Sequence, residues 1–119
     1  MPVEFTHKSP VQINYATNTV VMVYPDKSEA AFITQTNKSS MNKVIKHWEI
    51  YPDGDMGNKM KAVGGSKWIL LAQARPFYSI EDLIEAQKRY VVEYHKRIKK
   101  EYSVHPDRDE VKVSYYLFV

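Results

Sequence analysis

Four histidines are the natural starting point for any acid–base or metal chemistry: His7, His47, His95 and His105. No pair of them has the helical spacing of a metal site. His47 lies near Asp53 and Asp55 in sequence, which makes an acid–base pair conceivable. An isolated histidine is far more often structural or solvated. The chain has no cysteine, which excludes disulfides, zinc–thiolate sites and thiol catalysis. No serine sits in a nucleophile elbow.

Two loop motifs fall short of their chemistry. Asp53-Gly54-Asp55-Met56-Gly57-Asn58 has the opening of a calcium loop. An EF-hand counted from Asp53 needs glycine at the sixth position and glutamate at the twelfth, where this chain has Asn58 and Gly64. The segment therefore reads as an acidic turn. Gly64-Gly65-Ser66-Lys67 could offer backbone N–H groups to an anion. A P-loop must lead into a helix, whereas a strand is expected here, so a hairpin loop is the plainer reading. No catalytic set remains, and no enzyme activity, metal or cofactor is expected.

Charge is the stronger lead. The net charge is +3 and the pI near 9.0, which admits an acidic partner without demanding one. Lys96, Arg97, Lys99 and Lys100, with Arg108 nearby, form the densest basic cluster. They could bind phosphates, or simply complement the negative end of a helix dipole on a solvated face. Arg75 stands at the end of an expected strand, where loops tend to carry binding residues. Trp48, Trp68, Phe77 and the nine tyrosines could stack on bases or fill the core and sheet faces. No aromatic RNP motif or GXXG loop is present.

The elements that would hold these groups follow from periodicity. Residues 3–7 and 11–15 alternate apolar and polar as half-buried strands do, and residues 19–24 read as an interior strand. Residues 30–36 lean to strand through Phe32, Ile33, Thr34 and Thr36. Lys43–Tyr51 fits a helix capped by Ser39 or Ser40, or a strand with Val44, Lys46, Trp48 and Ile50 on one face. The adjoining Tyr51-Pro52-Asp53-Gly54 turn favours the strand, paired with Lys67–Ala74 across a long loop. Three Pro-Asp steps, at 25–26, 52–53 and 106–107, read as element stops.

The longest helix is expected from Ile80 to about Tyr102, with Ser79 as N-cap. Ile80, Leu83, Ile84, Val91, Tyr94, Ile98 and Tyr102 fall on its apolar stripe. Glu85–Arg89 and Glu93–Arg97 have the spacing of supporting ion pairs. A last strand is expected over 110–119. The fold class is thus α+β in one domain, residues 1–119. It comprises an antiparallel sheet of about five to seven strands, a long helix in the C-terminal half and a final strand after it.

These features lead to an expected function. The chain reads as a non-enzymatic binding protein for an anionic, nucleotide-like ligand or nucleic acid. Arg75, Lys96, Lys99, Lys100 and Arg108 would supply the charge. The alternative is a small accessory or inhibitor protein, of viral type, that acts by protein–protein interaction. No apolar run could span a bilayer and no signal peptide is visible, so a cytoplasmic location and no membrane partner are expected. Tyr115–Val119, apolar on both faces, would be an aggregation hazard if left open, which favours a homo-oligomer.

Overall fold

The computed structural model describes residues 3–52, 60–102 (side chains to 97) and 112–118. The elements run β1 (Val3–Glu4), β2 (Pro10–Asn14), β3 (Thr19–Val23), α1 (Lys27–Thr34), α2 (Lys38–Ile50), β4 (Ser66–Leu70), α3 (Leu71–Ala74), α4 (Ile80–Tyr102) and β5 (Val113–Ser114). The α+β class holds, but the expected sheet of five to seven antiparallel strands does not form. The described strands make one antiparallel sheet of order β3-β2-β4 and a separate parallel pair, β1 with β5.

The difference arises where sequence period was ambiguous. Residues 30–36, expected as a strand, belong mostly to α1. Asp26 caps that helix, its carboxylate accepting the Glu29 N–H at 2.8 Å, and Gln35 ends it with φ 53°. Lys43–Tyr51 is likewise helical. Asn37 caps α2 by accepting from the N–H groups of Ser39 and Ser40 at 2.8 and 3.2 Å. Met41, Val44 and Ile45 are buried and Trp48 half-buried, which is helical spacing. The strand stretch expected over 67–74 ends at Leu70, and its partner is β2 rather than residues 43–51. Gly64 and Gly65, with φ 57° and 78°, make the tight turn into β4. Positive φ at both central residues is what a two-residue hairpin turn requires.

Both faces of the sheet are covered. Val11 pairs with Ile69 and Ile13 with Lys67, so these share a face, and Trp48 of α2 lies over Lys67. Gln12 and Trp68 share the other face. There Tyr24 stacks near Trp68 and Tyr90 of α4, each at 5.8 Å between ring centroids. Burial pushes the Tyr24 hydroxyl up to about 12.

α4 is the expected long helix, with Ser79 Oγ accepting the Asp82 N–H at 3.0 Å. Its buried stripe is rotated from the expected one. Leu83, Ala86, Gln87, Tyr90 and Val91 are buried, Ile84 and Tyr94 are half-buried and Ile80 is exposed. The side chains of Ile98 and Tyr102 lie outside the described residues. Of the final strand expected over 110–119, Val113–Ser114 alone pairs among the described residues. Beyond it, the buried Gln87 amide holds the Tyr116 backbone, accepting its N–H at 2.8 Å and donating to its carbonyl at 3.0 Å. Phe118 then turns inward with φ 60°. Among the described residues, no helix is long and apolar enough to cross a membrane.

Candidate functional site

A cleft of about 230 Å³ opens between the end of α2, the outer strand β4 and the turn that joins α3 to α4. Its chemistry centres on Lys67. The ammonium Nζ sits 3.8 Å from the centroid of the Trp48 ring and donates to the Tyr78 hydroxyl at 3.2 Å. Tyr78 in turn donates to Asn18 Oδ1 at 2.6 Å. Trp48 is itself fixed, because its Nε1–H donates to the Lys61 carbonyl at 2.8 Å. The amine therefore has little rotational freedom.

Lys67 makes no ion pair among the described residues. It is half-buried, and desolvation pulls its pKa below the usual lysine value. The attraction of the Trp48 ring for a cation works in the other direction. Phe77 also lines the cleft and is 55% exposed. Glu49 and Gln73 complete the polar lining. Arg75, exposed, precedes Pro76 and Phe77 of the lining by one and two positions.

Of the expected site residues, the two with described side chains, Arg75 and Lys96, lie apart. Arg75 lies at the N-terminal approach to α4, whereas Lys96 lies on its last turns. The rise from Ile80 to Lys96 alone is roughly 24 Å. Lys96 is exposed and pairs with Glu93 at 3.6 Å. Arg97 turns inward to Glu29 on α1 instead of pairing with Glu93, and Glu29 also accepts the Tyr90 hydroxyl at 2.8 Å. Burial alone would lower the Arg97 pKa, but Glu29 overrides it and raises the value. Arg89 likewise leaves Glu85 and donates to the carbonyls of Val20 and Val21. Lys99 and Lys100 belong to the end of α4 with side chains outside the described residues, and Arg108 lies outside them altogether.

Lys67 entered the sequence reading only through Gly64-Gly65-Ser66-Lys67, a possible anion cradle read more plainly as a hairpin loop, and not as a side chain in an aromatic cleft. Its sequence clue was the apolar run Trp68-Ile69-Leu70-Leu71 that follows it. His47 is buried on α2, neither ring nitrogen has a hydrogen-bond partner among the described residues, and Asp53 and Asp55 lie outside them. Among the described residues, no group of His, Asp and Glu could hold a metal ion. No family model, curated protein sequence or solved structure matches this chain.

Proposed function

We propose that this chain is a non-enzymatic binding protein whose Trp48–Lys67 cleft takes an anionic, nucleotide-like ligand, free or as part of a single strand. The observation that carries this is Lys67: a half-buried ammonium fixed on an aromatic ring, with no carboxylate paired to it among the described residues. An anion brought beside such a charge recovers interaction energy that burial removed. The cleft is smaller than pockets that enclose a drug-sized molecule, which run from about 300 Å³ upward. It therefore suits one planar ring, with the phosphate left at the rim.

Lys67 occupies one face of Trp48, so the ring stacks on Phe77. The phosphate meets Lys67 and Arg75, whose planar fork can grip two oxygens at once. Glu49 repels the phosphate from its own side and offers an acceptor for an exocyclic amine. Binding without turnover is favoured because the hydroxyl nearest Lys67, that of Tyr78, donates to Asn18 and has its pKa raised by burial.

Intrinsic fluorescence tests this. Trp68 is fully buried and its indole N–H has no partner among the described residues, so Trp68→Phe loses no hydrogen bond and leaves Trp48 as the reporter. Mononucleotides and short oligonucleotides should change Trp48 emission at low salt and less at high salt. Phe77→Ala should cost about 1–3 kcal/mol of binding, the usual worth of a base stack. Arg75→Lys should weaken binding at constant net charge. No response from any ligand at low salt would overturn this function and favour a protein partner.

A further inference from the structure

Where β4 runs into α3, consecutive residues of this outer strand line two different hollows. Ile69 and Gln73 line the Trp48–Lys67 cleft, while Leu70 lines a second hollow of about 540 Å³. This second hollow gathers Lys8 from the β1–β2 turn, Lys27 from the start of α1 and Lys38 from the start of α2. Residues far apart in the chain thus become a basic cluster. None of the three is in an ion pair among the described residues. Lys38 Nζ donates to Ser28 Oγ at 3.0 Å. The one carboxylate in the lining, Asp26, already accepts the Glu29 N–H at 2.8 Å.

α3 follows β4 directly, beside both linings in the chain. Its exposed Ala72 presents only a methyl group, and the Ala72 N–H is tied to the carbonyl of the exposed His7 at 3.0 Å. A chain laid here would meet small, fixed groups, an ammonium cluster and an aromatic cleft.

We propose that the two hollows form one track for a single-stranded nucleic acid. Its phosphodiester backbone lies on Lys8, Lys27 and Lys38, crosses Ala72 and delivers one nucleotide to the cleft, its base to Phe77 and its phosphate to Lys67. This rests on the cleft's being a base site. Rotatable ammonium groups on open ground suit sequence-independent phosphate contact. The exposed Phe77 ring suits a single stacked base. A mononucleotide would fill the cleft and leave the three lysines unused.

The test compares deoxycytidine monophosphate, whose base carries an exocyclic amine, with oligodeoxycytidylates of increasing length, read by Trp48 fluorescence in the Trp68→Phe background over a range of salt. For wild type, affinity should rise with length. The triple variant Lys8→Ala, Lys27→Ala, Lys38→Ala should bind the monophosphate as before. For the long oligomer its salt slope should be shallower by about two, from three contacts at roughly 0.7 each. Replacing the same three lysines by Arg should keep the slope, which separates lost charge from a damaged fold. If monophosphate and oligomers bind equally well, or the alanine variant keeps the wild-type slope, the track is wrong and the cleft stands. If nothing binds at all, the cleft itself fails.

Discussion

His47 is 4% exposed on the inner side of α2, against the rings of Trp48 and Tyr51 at 5.2 and 5.4 Å. Burial lowers its pKa, and the charge of Lys61 lowers it further. The unfolded chain takes up a proton on this residue below about pH 6.5. The folded chain does so only at lower pH. The unfolded state therefore binds more protons in that window, and stability must fall as pH drops through it. Above the window the residue contributes nothing to the pH dependence. Urea midpoints measured across this range should decline for wild type and decline less for His47→Leu. Parallel curves would show that His47 is not kept neutral by the fold.

α4 has a face that can be tested residue by residue. Val91 is buried and Lys88 exposed, so Val91→Asp should cost about 3–5 kcal/mol as an unpaired buried charge, and Lys88→Ala no more than about 0.5. Equal chemical-denaturation midpoints would refute the orientation. Gln87 is the more informative position. Gln87→Ala would strand the Tyr116 N–H and carbonyl, and should cost about 2 kcal/mol or more. Hydrogen exchange at Tyr116 should accelerate in the same variant. Strand edges are also managed at this level. Arg89 donates to two carbonyls of the outer strand β3. On the other outer strand, β4, Ser66 and Leu70 are engaged by Val63 and the Gln73 side chain. Edges closed in this way resist pairing with a second chain.

At the scale of the molecule, the C-terminal segment changes its meaning. A homo-oligomer was expected because Tyr115–Val119 looked like an open apolar strand. In the fold Phe118 is buried by its own chain and Phe5 stacks on Tyr115 at 5.9 Å, while Leu117 stays exposed. Phe118 and Tyr115 thus take cover from their own chain, and Leu117 does not. The full chain should therefore be monomeric by light scattering, and a stable dimer would show that these segments exchange between copies. Deleting Leu117–Val119 removes a buried phenylalanine and should cost about 3–5 kcal/mol, with aggregation on heating. An unchanged melting temperature would refute that role.

The strands β2 and β3, the Ser79-capped α4 and the α+β class were legible in the sequence because period and caps act over a few residues, but β3, expected as an interior strand, is an outer strand of its sheet. The same local rules contained the correct answer for α1 and α2, in Asp26 with Glu29 and in Asn37 with the Met41–Val44–Ile45 spacing. Val44, Lys46, Trp48 and Ile50 fit a strand period equally well. Choosing between the periods takes the sheet that α2 packs against. The site was less legible still. Of the basic residues crowded in sequence, Lys96 pairs with Glu93 and Arg97 is taken by Glu29. Lys67, Trp48 and Phe77 come from separate elements, as do Lys8, Lys27 and Lys38. Strand register and helix placement alone bring them within reach, since charge and stacking act through space and not along the chain.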